Sequence, residues 1–339
     1  MISSKMTREA LEILTHAKIQ AIIEENIACD PAEFALNQRN NDLPAALIAS
    51  QLHALQKSRT KLPSWFLARC ILPPRAFEQA SSEATAAMKT WSGDRCLDLT
   101  AGLGVDSWHF SQNFRHVISL EQNLDLAAIT AFNLQKLGVS NVHITIAEAA
   151  TYLRQYTGPT FDLIYLDPDR RDDAGQRKIC IKDCSPDVFK LTPLLRQHGK
   201  TILIKLSPLF DLTEARRAFP EANRIMVLSV NNECKELLVE LTPEAAHPRT
   251  EIRLSRKGIL YLYDFPATPM ESSAETGSQV SDASFLLEPD SAFYKAGLGP
   301  ELMQTYFPDL LGGFVRREGF FFSQAPAPEG FPGRCFRIR

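Results

Sequence analysis

Apolar residues in the first quarter of the chain recur at helical spacing. Leu11, Leu14, Ala17, Ile19 and Ile22 form one such series, and Leu47, Ile48, Leu52 and Leu55 mark a second amphipathic helix. Asp30-Pro31 followed by Glu33 combines a capping side chain, a proline at the first helical position and a capping-box acid, so a helix is predicted to start there. Residues 1–88 are expected to form an N-terminal helical domain punctuated by Pro63, Pro73 and Pro74.

Beyond this region the period changes. Short apolar runs at 95–99, 116–120, 142–146, 162–166 and 201–206 read as strands, with helical stretches 104–113 and 123–137 between the first three. That alternation builds a parallel sheet with helices on both faces. Two further runs, 224–230 and 236–241, are separated only by Asn231–Lys235, too short a link for a crossover, so they must pair as an antiparallel hairpin. The expected fold class is α/β: a Rossmann-like class I methyltransferase sheet, parallel with a terminal antiparallel hairpin, over residues 89–245. A dinucleotide-binding domain would add another parallel crossover instead. Residues 246–339 are expected to form a small C-terminal α+β region, with a hairpin in 252–265 turning near Lys257-Gly258. Its stretch 266–284, rich in Ser, Thr, Pro and Ala, reads as a mobile loop.

Composition narrows the picture. A chain of 339 residues exceeds one ordinary domain, and 45% hydrophobic residues support a sizeable core. A net charge of −3 argues against a globally basic nucleic-acid binder while leaving room for a local basic patch. No apolar run reaches the roughly 18 residues of a membrane span. The N-terminus lacks the apolar core of a signal peptide. Seven cysteines, an odd number without CxxC spacing, point to reduced thiols and away from a zinc site. The seven histidines show no metal-ligand spacing. The expectation is a cytoplasmic protein with neither membrane nor metal.

Candidate chemistry centres on Asp98-Leu99-Thr100-Ala101-Gly102-Leu103-Gly104, which follows a strand and opens a helix. Glycines permit a tight turn and close approach of a ligand, and the helix start offers N–H groups to an anion. The carboxylate of S-adenosylmethionine suits that place, and Asp98 can serve its ammonium, directly or through water. Position 107 is Ser, so the third glycine of a dinucleotide fingerprint is missing. Glu121 ends the next strand, 23 residues after Asp98, where an acid can accept hydrogen bonds from both ribose hydroxyls. Glu148 and Ala149 end the third strand, where an adenine contact is expected. Thr100, Ala101 and Gln122 complete the predicted cofactor set around these positions.

The fourth strand ends Tyr165-Leu166-Asp167-Pro168-Asp169-Arg170-Arg171. Asp167 can accept a proton-bearing nitrogen or bind the methionine amine, and Pro168 restrains the backbone beside it. Enzymes that methylate exocyclic base amines carry Asp/Asn-Pro-Pro and an aromatic at such a place. Here Asp169 and Arg170 replace the last two, so the stacking platform is missing. Arg170 and Arg171 can instead grip a phosphate or carboxylate, or belong to a solvated, self-paired loop. Lys205, near the end of the fifth strand, and Glu233, Lys235 and Glu236 of the hairpin turn are candidates for a charged rim beside Asp167. Surface ion pairing is the competing reading. No cysteine follows strand five, so a covalent nucleophile for carbon-5 methylation is absent there; Cys180 and Cys184 read as small buried hydrophobes.

The segments FEQASSEATAAMK (77–89), DLTAGLGVDS (98–107), LDPDRRD (166–172), KDCSPDV (182–188), IKLSP (204–208) and NECKELL (232–238) together resemble the bacterial THUMP-like-domain class I methyltransferases. The resemblance implies S-adenosyl-L-methionine as cofactor and a C-terminal module named for likeness to an RNA-binding one. It further implies that Gln79, Ser81 and Ser82 face the cofactor. LLEPDSAFYKAGLGPEL (286–302) is similar to the start of that module, which is expected to be shortened here, with Cys335–Arg339 reading as a strand. Arg316, Arg317, Arg334, Arg337 and Arg339 are candidates for phosphate contacts. The function expected is methyl transfer to RNA (tRNA or rRNA) at a base nitrogen, with Asp167 positioning the nucleophile. The alternatives are a small-molecule or protein methyltransferase, and a non-catalytic S-adenosylmethionine-binding protein.

Overall fold

The computed structural model describes residues 6–38, 42–168, 184–243, 248–267, 283–308, 315–317 and 320–338. The chain divides into two compact units, Met1–Ile202 and Leu203–Arg339.

Among the described residues, the first unit begins with seven helices: α1 (Arg8–Thr15), α2 (Ala17–Glu25), α3 (Pro31–Asn37), α4 (Ala45–Lys61), α5 (Pro63–Leu67), α6 (Pro74–Gln79) and α7 (Glu83–Ala86). Asp30 caps α3 as its sequence implied, accepting from the N–H groups of Ala32 and Glu33 at 2.9 Å each. The predicted alternation then follows: β1 (Gly93–Asp98), α8 (Val105–Phe110), β2 (Phe114–Leu120), α9 (Leu124–Lys136), β3 (Val142–Thr145), α10 (Ala149–Gln155), β4 (Phe161–Leu166) and α11 (Val188–His198). The strands lie in the order β3-β2-β1-β4, every neighbouring pair parallel. Strand β5 (Gly199–Leu206) runs across the division between the units.

The N-terminal helices share one core with the glycine turn. Leu14, Ile48, Leu52, Leu55, Trp65 and Ile71 are buried in the same cluster as Leu103, Val105 and Ile129. Trp65 meets Trp108 edge-on, with ring centroids 4.9 Å apart. The link between α5 and α6 is held by side-chain amides. Asn133 accepts from the Ile71 N–H at 2.8 Å and donates to the Ile71 carbonyl at 2.8 Å. Gln51 donates to the Cys70 carbonyl at 2.7 Å and accepts from the Leu72 N–H at 3.1 Å. In Asn133→Ala both polar groups of Ile71 lose their partner inside the core. The expected destabilisation is about 3 kcal/mol, read from the shift of the urea unfolding curve. A loss below about 1 kcal/mol would contradict this account of the link.

The second unit contains α12 (Leu212–Ala218), β6 (Arg224–Val230), β7 (Glu233–Leu241), β8 (Arg249–Arg256) and β9 (Ile259–Pro266), with strand order β7-β6-β8-β9. The predicted β6–β7 hairpin is antiparallel, but its link is only Asn231-Asn232, not Asn231–Lys235. Both asparagines have positive φ, 51° and 70°, as the tight hairpin turn with matching twist requires. Strand β8 pairs parallel with β6, so the predicted hairpin at 252–265 continues the ladder of β6; its turn is Lys257-Gly258. A separate antiparallel sheet follows, built from β10 (Phe285–Pro289), β11 (Val315–Arg317), β12 (Phe320–Ser323) and β13 (Gly333–Arg337) in the order β11-β12-β10-β13. Helices α13 (Ser291–Ala296) and α14 (Gly299–Tyr306) interrupt it. Of the stretch expected to be a mobile loop, residues 268–282 lie outside the described residues. Among the described residues, no helix is long and apolar enough to cross a membrane.

Candidate cofactor site

The turn after β1 is held from within by Asp98. One carboxylate oxygen accepts from the Thr100 N–H at 2.9 Å; the other accepts from the Ser107 hydroxyl at 2.5 Å, which in turn accepts from Ser119 at 2.9 Å. Asp98 is buried, and that burial pushes its pKa up to about 7 despite the hydrogen bonds. Its two oxygens therefore clamp the turn.

Gly102 and Gly104 both have left-handed backbones, with φ of 53° and 84°. Gly104 also allows close packing: a Cβ there would lie 2.7 Å from Thr130 Cγ2 on α9. Beside Gly102 the space is open, the nearest atom to a Cβ being the Thr100 carbonyl oxygen at 3.9 Å. The Gly102 N–H donates to Glu121 Oε2 at 3.1 Å, and Glu121 Oε1 accepts from the Asn123 N–H at 2.8 Å. Burial raises the Glu121 pKa above the ordinary carboxylate value. The glycine turn and the acid after β2, separate in sequence, thus meet at one place. Gln122 is exposed beside them.

The end of β4 is tied to the same turn, because the Asp167 N–H donates to Thr100 Oγ1 at 2.7 Å. Asp167 is half-buried and Pro168 buried. Arg170, Arg171 and Cys180 lie outside the described residues. Glu148 caps α10, accepting from Ala150 and Thr151 N–H groups at 2.9 and 2.7 Å; its carboxylate is exposed, and Ala149 behind it is buried. Ser82 caps α7 through a reciprocal pair with Thr85, both hydrogen bonds at 3.1 Å. Gln79 is exposed at the end of α6. Lys205 belongs to the second unit, half-buried near the end of β5. There too Lys235 pairs with Glu233 at 2.6 Å, while Glu236 is buried. Among the C-terminal arginines, Arg334 is engaged by Glu288 at 2.5 and 2.8 Å and Arg337 is exposed. The side chains of Arg316, Arg317 and Arg339 lie outside the described residues.

Three residues that the sequence reading did not single out stand next to the turn. Lys89, fully buried, pairs through Nζ with Asp106 Oδ1 at 2.9 Å. Asp106 Oδ2 accepts from the Ser81 hydroxyl at 2.7 Å and from the Tyr165 hydroxyl at 2.8 Å. A lysine before a strand and an aspartate in a helix's first turn look like ordinary surface residues in a sequence, so no local signal marks this cluster.

A Rossmann-like sheet with a glycine turn after β1 and an acid after β2 defines the methyltransferase fold class. Residues 80–181 match the family model described as Conserved hypothetical protein 95. A Porphyromonas gingivalis W83 protein assigned as a methyltransferase is similar over 98% of this chain and 82% of its own, with 25% identity and a TM-score of 0.76. A Streptococcus mutans protein also assigned as a methyltransferase, solved in complex with SAH, matches 47% of this chain and 93% of its own at 13% identity and a TM-score of 0.35. An rRNA methylase from Streptococcus thermophilus matches 47% and 92% at 12% identity and a TM-score of 0.33. No curated protein matches the chain.

Proposed function

We propose that this chain is an S-adenosylmethionine-dependent methyltransferase of the THUMP-like kind, acting on RNA at a base nitrogen. The observation that carries the cofactor part is the meeting of Glu121 Oε2 with the Gly102 N–H at 3.1 Å, beside the open space at Gly102. These residues fit the ligand's chemistry: an acid for ribose hydroxyls next to a turn that leaves room for the backbone to be approached. Glu121, with Gln122, would hold the sugar, and Thr100, Ala101, Gly102 and Gly104 the amino-acid end, with Asp98 keeping the turn in shape. Glu148 and Ala149 would border the adenine, and Gln79 and Ser82 the entrance. When bound, the cofactor supplies an activated methyl group on a sulfonium. What remains for the protein is to align the accepting nitrogen and keep it unprotonated. Asp167 is the candidate for that task, its backbone N–H already fastened to Thr100; Arg170 and Arg171 would hold a phosphate or base edge. The choice of RNA rests on the resemblance to the THUMP-like family.

Two measurements test this reading. In calorimetry, the wild type should bind S-adenosylhomocysteine and Glu121→Ala should bind it at least about tenfold more weakly, having lost the acceptor for the ribose. No heat with the wild type would end the cofactor reading. Tritiated-methyl transfer to total RNA from a strain lacking the gene should label RNA with the wild type but not with Asp167→Ala. Label confined to protein or small molecules would remove RNA as substrate.

A further inference from the structure

We propose that Asp106 is a positioning residue that fixes the walls of the cofactor cradle relative to one another. Its carboxylate gathers donors from three other stretches of the chain. Ser81 lies in the link between α6 and α7, 25 residues before Asp106, and donates at 2.7 Å. Tyr165 lies near the end of β4, 59 residues after it, and donates at 2.8 Å. Lys89 lies in the link between α7 and β1 and pairs at 2.9 Å. Asp106 itself sits in α8, two residues past Gly104, and Tyr165 sits two residues before Asp167. One carboxylate thus joins the glycine turn's helix, the end of β4 and the segment that precedes β1.

The chemistry of the cluster favours geometry over stability as its role. A buried ion pair is on average no more stabilising than apolar side chains of similar volume, because both charges must be desolvated. Hydrogen bonds to an ionised carboxylate, by contrast, are short and directional, so they set the relative positions of their donors closely. Lys89 has no exposed side-chain surface, and its ammonium lies 5.8 Å from the centre of the Tyr165 ring, so it is held on two sides. Ser81 is buried as well. His109, one turn further along α8, is half-buried, and that burial lowers its pKa. A displacement of Asp106 would therefore be transmitted to the segment carrying Gln79 and Ser82, to the helix after the turn and to the strand end carrying Asp167.

This inference rests on the cofactor reading given above, and the test separates the two. Ser81→Ala and Tyr165→Phe each remove one donor while keeping the packing nearly intact. The double variant Lys89→Met/Asp106→Leu, made in the Ser81→Ala/Tyr165→Phe background so that neither hydroxyl loses its acceptor, replaces the ion pair and its donors by apolar side chains. Binding of S-adenosylhomocysteine is measured by calorimetry on the full chain, alongside the melting temperature and far-ultraviolet circular dichroism. Both single variants should keep the wild-type spectrum and bind the ligand about tenfold more weakly. The double variant should melt at or above the wild-type temperature and still bind weakly, since stability is restored without the directional contacts. A merely structural cluster predicts otherwise: affinity would return together with stability. Single variants that bind like the wild type, or a double variant that recovers both properties, would overturn the proposal and leave the cofactor reading standing. A wild type that takes up no ligand would overturn both.

Discussion

Asp98→Asn should flatten the fall in stability that the wild type shows between about pH 4 and about pH 8, by up to about 4 kcal/mol. The sign follows from the direction of the shift. Burial raises the pKa of Asp98 to about 7 in the folded chain, whereas the unfolded chain has the ordinary value near 4. Below about pH 4 the residue is protonated in both states and its contribution is fully present. As the pH rises, the unfolded chain ionises first, the folded chain binds the extra proton, and stability declines until the folded pKa is passed. Glu121 is shifted in the same direction, and Glu24, Asp162, Asp187 and Asp211 in the opposite one. The readout is therefore the difference between wild type and Asp98→Asn in urea unfolding across the pH range. Asn keeps an acceptor for the Thr100 N–H and reverses the Ser107 contact, its amide donating where the carboxylate accepted and the Ser107 hydroxyl turning to Ser119. Identical pH profiles for the two proteins would refute the assignment of this slope to Asp98.

Gly104→Ala should destabilise the chain by about 3 kcal/mol, from two separable causes. A side chain at φ 84° lies in the left-handed region, which costs a non-glycine residue about 1–2 kcal/mol. Its Cβ would also stand 2.7 Å from Thr130 Cγ2, and overpacking of that kind costs about 1–3 kcal/mol. Thr130 cannot move freely, because its hydroxyl donates to the Gly102 carbonyl at 2.7 Å. Adding Thr130→Ser to Gly104→Ala removes the clashing methyl and keeps the hydroxyl. The pair should regain the packing loss and retain the conformational one, by chemical unfolding of the two variants against wild type. No recovery would show that the contact with Thr130 is not what makes glycine necessary. Full recovery would show that the backbone at 104 is unstrained by a side chain. Any movement of Thr130 also shifts the Gly102 carbonyl, so weaker binding of S-adenosylhomocysteine should accompany the loss of stability.

The elements were legible wherever the cause is local. Periodicity located the strands from β1 to β6, and the glycines marked the left-handed turn, because side-chain alternation and φ depend on neighbouring residues. The hairpin link was read three residues too long, since Glu233, Cys234 and Lys235 break the apolar run. Glu233 and Cys234 pair with Val230 and Ser229, and Lys235 is the extra residue at the register shift before Glu236, so all three belong to the strand. Ser82 and Glu148, read as cofactor contacts, are also helix caps, since an oxygen-bearing side chain before a helix satisfies its first N–H groups whatever else it does.

The sequence alone determined the alternating sheet, the turn at Gly102–Gly104 and the placement of an acid after β2, since each is written in short-range pattern. Only the tertiary structure decided which distant residues share a core or a charge: the N-terminal helices with Leu103 and Val105, β8 beside β6, and Lys89 against Asp106. The reason is that burying an ammonium or pairing a strand depends on a partner elsewhere in the chain. The surroundings of one residue in a sequence do not name that partner.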